Sequence, residues 1–442
     1  MYAAALEVVR RLQKAGFETY WVGGCVRDRL LGLDPGDYDV ATAALPAEAA
    51  PLFDASREVG RSFNVLQVRC SDVWIEVATF RSEGDYRDGR HPEHIAPADA
   101  RADALRRDFT INALFLDPLT DRILDFVGGQ EDLRRRLLRC VGDPEARLRE
   151  DALRLMRAVR FACRFALDLE PETRRALENN AERLRLVAAE RIGEEFLQML
   201  TGPQPERAMT LLLETGLLER FAPELVRLQG CEQSPRHHPE GDVWVHTLRM
   251  LSLMAESVPP DGDRALALGV LLHDAGKPDS RRLRGESVTF YGHERRGQEI
   301  ASALMQRLAI PSRTQETVSM LVGQHLRFLD VEQMRKSTLR RFVLQEGFDR
   351  LLALHRLDAL SSRGDLSSWE FCRRELQAIA EEGIPVRPLL SGHELQALGY
   401  LPGPRLGEIL RALVDAQLEG IVRDGPGAQA WVRAQYPPER DR

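Results

Sequence analysis

Near residue 143 the chain changes its apolar period, and that change limits the fold more than any other feature. Before it, short β-branched and aromatic runs alternate with helical patterns; after it, the spacing is overwhelmingly helical, with Pro and Gly marking the stops. The pattern predicts a small mixed α/β head followed by an all-α remainder. Strands are predicted at residues 19–22, 38–41, 64–69, 74–80 and 123–127, and an amphipathic helix over the first sixteen residues or so. Breaks near Gly142-Asp143-Pro144, at 230–239 and at 383–388 divide the chain into segments 1–142, 143–229, 230–382 and 383–442. Its 442 residues suffice for roughly two to four domains, each with a core of its own.

The stretch 22–42, VGGCVRDRLLGLDPGDYDVAT, carries the first chemistry. A β-type run (Tyr20, Trp21, Val22) enters Gly23-Gly24, a helical stretch holds Arg27 and Asp28, and the chain returns as a strand bearing Asp37 and Asp39. Positions i and i+2 of a strand share a face, so both carboxylates aim at one point. Hard anionic oxygens beside a glycine-paved helix start describe a place for Mg²⁺ and a triphosphate. An isolated D-x-D is commonly a solvated turn; the coupling to G-G-x-x-R-D gives this one its meaning. Glu76, sharing a strand face with Trp74 and Ala78, is either a third acid for that metal or an exposed strand residue.

Residues 80–94 (FRSEGDYRDGRHPEH) lack any hydrophobic period and read as a loop. Arg106, Arg107 and Asp108 follow, ahead of a helix or turn; the arginines suit a phosphate site or a plain surface ion pair. In REDALRLMRAVRFACRF, residues 149–165, Asp151, Arg154 and Arg157 fall at i, i+3 and i+6 and so line one side of a helix. An Asp beside an Arg reads a base edge as a complementary base would: the carboxylate accepts from an exocyclic amine and the guanidinium donates to its neighbour. Cytosine and adenine offer that amine, whereas uracil and guanine offer a carbonyl. The plain alternative is an intrahelical ion pair.

Downstream, His246, His273-Asp274, His293, His325 and Asp358 recur in helical surroundings. Imidazoles with carboxylates make a mixed N/O set suited to a divalent metal. The segment 388–420 reads as two short helices joined by a Gly/Pro turn, with Arg405 placed to grip an RNA phosphate or simply to decorate a packing hairpin.

Taken in order, VGGCVRD, GDYDVAT, EVATFR, RRDFTINAL, DFVGG, EDALRLMRAVRF and AERIGEEF resemble the class II tRNA nucleotidyltransferase and poly(A) polymerase family. The resemblance implies catalytic Mg²⁺ on Asp37 and Asp39. It implies nucleotide phosphate or ribose on Gly24, Arg27 and Arg107, and an amino-acid template with its support from Asp151, Arg154, Arg157 and Arg160. It further implies a nucleotidyltransferase head, a helical neck with the nucleotide-selecting helix, and tRNA, CTP and ATP as partners. Two departures stand out: Asp103-Ala104-Leu105 before Arg106, where the family more often has an acid directly before the Leu, and Asn64 after Phe63, where Gly is usual. The downstream His/Asp series, with Lys277 after HD-A-G, is similar to an intact HD phosphohydrolase domain. In that family it is linked to phosphatase and 2′,3′-cyclic phosphodiesterase activity with Mg, Mn, Ni, Co or Fe. Addition of C and/or A to tRNA is the leading expectation. The alternatives are a poly(A) polymerase, or an HD phosphohydrolase or RNA-binding regulator with an idle head.

Composition narrows the setting. With 43% hydrophobic and 29% charged residues the chain is ordinary for a soluble globular protein. No run of eighteen apolar residues predicts a membrane span and no apolar leader follows the first Met; neither a membrane nor an obligatory protein partner is expected. Six cysteines without a C-x-x-C pair point to buried, reduced thiols and a cytoplasmic setting. A net charge of −7 gives no global nucleic-acid signal, so RNA must meet local arginine-rich surface.

Overall fold

The structure, a computed structural model, describes the chain apart from residues 60–64, 85–94, 237, 258–261, 286, 385–386 and 438–442. The chain forms two compact units, one built chiefly from Met1–Val226 and one from Arg227–Ser257, Asp263–Met305 and Pro311–Arg442.

The first unit begins with helix α1 (Tyr2–Lys14), whose buried Ala4, Ala5, Val8, Val9 and Leu12 form one apolar stripe. Seven strands follow in one mixed sheet: β1 (Thr19–Val22), β2 (Asp39–Thr42), β3 (Ser56–Glu58), β4 (Val65–Cys70), β5 (Val73–Thr79), β6 (Leu114–Asp117) and β7 (Arg122–Asp125), in spatial order β3-β4-β5-β2-β1-β6-β7. β1 lies at the middle of the functional half: Val22 pairs with Asp39 on one side and with Phe115 on the other. The one parallel pairing in the sheet, β2 with β5, sets Val40 beside Val77.

The turn expected after Asp108 is present, but β6 follows it where no strand was expected. A single 3₁₀ turn, Thr110–Asn112, gives way to a strand whose Leu114, Phe115 and Leu116 are all buried. A strand covered on both faces shows no alternation, so its period does not reveal it. Within the polar stretch read as a loop, Arg81–Glu83 forms a strand that pairs with Ile95–Pro97 just beyond it; residues 85–94, and Asn64 of the Phe63-Asn64 departure, lie outside the described residues.

Beyond residue 143 the regular structure among the described residues is helical apart from a two-residue strand, Asp168–Leu169, beside Leu137–Leu138, and the hairpin Arg282–Arg284 with Ser287–Thr289. The C-terminal segment holds a third helix that the sequence reading lacked. Gly392–Ala397, Pro404–Leu418 and Gly425–Gln435 share a core of Leu395, Tyr400, Ile409, Leu413, Ala428 and Val432. All six cysteines are free and buried. Among the described residues no helix is long and apolar enough to cross a membrane.

Candidate active site and candidate metal centre

In the head, Gly23 turns the chain from β1 into helix α2 (Gly24–Leu30). Its φ of 71° favours glycine, and an added Cβ would stand 3.1 Å from Arg107 Nη1. Arg107 is clamped there: Nε and Nη2 donate to Asp103 Oδ2 (3.1 and 2.9 Å) and Nη1 donates to the Asn112 carbonyl (3.2 Å). Asp103 is buried and also holds Arg106, so the acid that departs from the family position pins both arginines. Arg27 donates to Asn112 Oδ1 (2.5 Å) and Asp28 (2.8 Å), and its guanidinium lies 4.1 Å from the Phe165 ring centroid. Asn112 in turn donates to Asp108 Oδ1 (3.1 Å), while Arg157 grips Asp108 Oδ2 with two N–H groups (2.7 and 3.0 Å). Burial works against ionising Asp108, but Arg157 outweighs it and holds the carboxyl down at about 2. Arg27, Asn112, Asp108 and Arg157 thus form one chain of charge-assisted bonds. Asn112 and Asp108 had no role in the sequence reading; their signal was the RRDFTINAL string itself.

Asp37 and Asp39 are exposed while Tyr38 and Val40 are buried, so the two acids share a face, with Asp37 just ahead of β2. Trp74 and Glu76 are exposed on β5 as the alternation predicts, and Glu76 accepts from Gln67 (2.9 Å). The Asp39 carboxyl is pushed up by loss of hydration, then by the nearby charge of Glu76 and, more weakly, Asp37, with Arg107 pulling the other way. Three repelling carboxylates fit a hard cation. The described groups of three ligand atoms within 4.8 Å of one another all lie in the second unit, so the head acids form an open set. Such a set suits Mg²⁺, which keeps waters and substrate phosphates among its ligands.

The selecting helix differs from its expectation. Helix α3 (Pro144–Glu150) ends at Asp151, whose φ of −138° and ψ of 107° are extended, and helix α4 runs Leu153–Arg164. Asp151 therefore precedes the helix that carries Arg154 and Arg157. Its Oδ1 accepts from Leu153 N (3.0 Å), as short polar side chains do at helix starts. Arg154 is not held by Asp151: it donates to Glu150 (2.6 Å) and to the Arg147 carbonyl (2.8 Å). Helix α5 (Ala189–Leu200), from AERIGEEF, braces both ends of this region. Arg191 stands 3.5 Å from Asp151, and Arg160 donates to Glu195 (2.5 Å). In DFVGG, Asp125 accepts from four successive backbone amides, Val127 to Gln130, and so caps the next helix.

The second unit brings all six predicted His and Asp residues together. Helix α6 (Val243–Ser257) carries His246, helix α7 (Arg264–Leu272) runs into His273-Asp274, His293 opens helix α8 (His293–Arg307), His325 follows α9 (Ser312–Gln324), and Asp358 sits on α10 (Phe348–Ser361). Asp274 Oδ1 lies 3.2 Å from His293 Nε2 and 3.8 Å from His325 Nε2; its Oδ2 lies 3.1 Å from His273 Nε2 and 2.6 Å from Lys277 Nζ. His246 Nε2 stands 3.2 Å from Asp358. Three of the histidines turn Nδ1 to a backbone carbonyl: His273 to Val270 (2.8 Å), His293 to Phe290 (2.7 Å) and His325 to Val322 (2.7 Å). A carbonyl only accepts, so Nδ1 carries the proton and Nε2 offers its lone pair inward. The Nε2 atoms of His293 and His325 meet at 3.2 Å, a distance at which either a proton on one of them or a shared metal ion relieves the repulsion of two lone pairs. His246 Nε2 and His273 Nε2 are buried without hydrogen-bond partners. This donor set fits a divalent metal.

Burial opposes charge on Asp274, but His273 and Lys277 hold it well below the usual carboxylate range. Burial, then His273, push His325 down to about 3. Gly276 of HD-A-G is a packing requirement: an added Cβ would stand 2.1 Å from the His293 carbonyl oxygen. Glu240, which accepts from His246 Nδ1 (2.6 Å), and Gln233, which accepts from Lys277 Nζ (2.6 Å), were missed by the sequence reading although both lie in the segment just before α6.

Family models match the chain in three places: a poly A polymerase head domain over residues 19–139, a probable RNA and SrmB-binding site of polymerase A over 166–228, and an HD domain over 243–355. An A-adding tRNA nucleotidyltransferase of Deinococcus radiodurans is 36% identical over 93% of this chain and 94% of its own. A CC-adding tRNA nucleotidyltransferase of Thermus thermophilus is 36% identical over 94% and 93%. The crystal structure of a Bacillus stearothermophilus CCA-adding enzyme with CTP superposes with a TM-score of 0.73 at 27% identity, covering 98% of this chain and 97% of that one. This chain is therefore an enzyme of the tRNA nucleotidyltransferase and poly(A) polymerase family, and it carries an HD domain.

Proposed function

We propose that the chain adds C, A or both to the 3′ end of tRNA from CTP and ATP, choosing the base with side chains instead of a nucleic-acid template. The observation that carries this reading is the bonded series Arg27–Asn112–Asp108–Arg157 beside Gly23 and the acids, which orders cationic donors before substrate arrives. Asp37 and Asp39, with Glu76 adjacent, would hold Mg²⁺, which when bound lowers the pKa of the RNA 3′-hydroxyl and neutralises the triphosphate. Gly24, lacking a side chain, lets phosphate approach the start of α2, and Arg27 and Arg107 meet its charge. In-line attack on the α-phosphate expels pyrophosphate. Asp151 accepts from the exocyclic amine of cytosine or adenine, Arg154 donates beside it, and Arg157 and Arg160 keep the helix in register through Asp108 and Glu195. Because Arg154 rests on Glu150, base reading draws on the same guanidinium that Glu150 orients.

We assign segment 1–142 to transfer, 143–229 to base selection and RNA contact, 230–382 to metal-dependent phosphohydrolysis and 383–442 to a helical tail, in a cytoplasmic protein. The buried Nε2 atoms of the second unit support a divalent Mg, Mn, Ni, Co or Fe centre acting as phosphatase or 2′,3′-cyclic phosphodiesterase. The test of the main reading is tRNA lacking its 3′ end, incubated with CTP, ATP, both, UTP or GTP, and the product's 3′ sequence read. Incorporation of C or A with rejection of U and G is expected. Equal use of UTP and GTP would overturn base selection by Asp151 and Arg154, and long A tails on unrelated RNA would favour a poly(A) polymerase.

A further inference from the structure

We infer that Glu240 is a positioning residue of the helical metal centre, fixing His246 in the tautomer that can ligate a cation. Its carboxylate is 2% exposed, and Oε1 accepts from two imidazoles, His246 Nδ1 at 2.6 Å and His238 Nδ1 at 2.9 Å. Oε2 is buried and has no hydrogen-bond partner. An ionised carboxylate has no proton to give, so Nδ1 of His246 must carry one, and Nε2, 3.2 Å from Asp358, is left as the nitrogen that can ligate a cation. Ser361 Oγ, 3.2 Å from the same Nδ1, can adapt to either tautomer and so does not decide between them.

The contrast with the neighbouring ligands makes Glu240 more than packing. His273, His293 and His325 are each oriented by a neutral backbone carbonyl three residues earlier on their own segment. His246 instead draws its partner from outside its helix, and that partner carries a full charge, which raises the basicity of the ligating nitrogen. The segment bearing Glu240 is anchored: Asp242 accepts from Val245 N (2.9 Å) and Gly230 N (2.7 Å), and Gln233 meets Lys277. His238 uses the second lone pair of Oε1 and holds the carboxylate against rotation.

This rests on the reading of the His/Asp cluster as a metal centre. The experiment is Co²⁺ titration, by calorimetry and by visible absorption, of the full metal-free chain carrying Asp37→Ala and Asp39→Ala, so that only the helical centre is counted. Glu240→Gln is expected to weaken binding about 10–100-fold, because its amide can donate to Nδ1 and select the wrong tautomer. The loss should not add to that of His246→Ala, since both act through one ligand. Glu240→Asp should recover part of the affinity, which a void left in the packing would not explain, and it keeps the test open should the Gln variant fail to fold by circular dichroism. Unchanged affinity in Glu240→Gln, or losses that add in the double variant, would overturn the inference. No Co²⁺ binding by the chain with Glu240 intact would instead overturn the metal-centre reading itself.

Discussion

In the head, Asp37, Asp39 and Glu76 stand open to solvent, while His246, His273, Asp274, His293 and His325 of the second unit are nearly wholly buried. The head's rigidity lies in its cations: Arg27, Arg107 and Arg157 are each tied to Asp28, Asp103 or Asp108. In the second unit the rigidity lies in the ligands, each imidazole locked by its Nδ1 partner. The difference teaches how each site is completed. On the proposed reading, an open carboxylate set would leave coordination positions for triphosphate and RNA, whereas a buried imidazole set would define a metal cavity before any substrate arrives.

That contrast can be broken by separate inactivation. Asp37→Ala with Asp39→Ala is expected to reduce nucleotide addition on the order of 10³-fold while sparing metal-dependent phosphatase activity. His273→Ala with Asp274→Ala should do the reverse, and loss of both activities in either double variant would refute two independent sites. Asn112→Ala removes the bond between Arg27 and Asp108, and a misplacement near 1 Å is enough to lower kcat/KM about 10²-fold. Steady-state kinetics on tRNA check this.

The glycines sharpen the comparison through stability. Gly276→Ala forces a methyl into the His293 backbone and should destabilise by about 3 kcal/mol or force a local shift that loosens metal binding, read by urea unfolding and metal titration. Asp108 supplies a pH-dependent counterpart in the head. Its folded value, about 2, lies below the ordinary 3.8, so its contribution is fully present above about pH 4 and is lost as pH falls through 2. On the order of 2 kcal/mol is at stake, and Asp108→Asn should flatten the acid limb of the stability curve over that window. Gly23→Ala, strained by a φ of 71° but facing the end of a movable arginine, should cost about 1 kcal/mol and displace Arg107.

Much of this was legible beforehand. β1, the shared face of Asp37 and Asp39, and the helical surroundings of the six His and Asp positions follow from local periodicity and spacing; Asp37 falls just ahead of β2, and Glu76 is exposed, which leaves both of its readings open. What escaped was of two kinds. β6 hid because a strand buried on both faces has no alternation. Asp151 was assigned to a helix it only introduces, because helical spacing continues through the break and a capping Asp looks like any other Asp. The third tail helix, Gly425–Gln435, buries Ala428 and Val432 in a core shared with Leu395, Tyr400 and Ile409.

The sequence by itself determined the head-then-helix order, the D-x-D acids, and the imidazole and carboxylate residues that could ligate a metal, since each depends on neighbours a few residues away. Only the tertiary structure decided partners: Glu150 instead of Asp151 for Arg154, Asn112 between Arg27 and Asp108, and Glu240 behind His246. Spacing specifies which face a side chain occupies, but the atom across from it comes from another segment, and only packing brings the two within hydrogen-bonding distance.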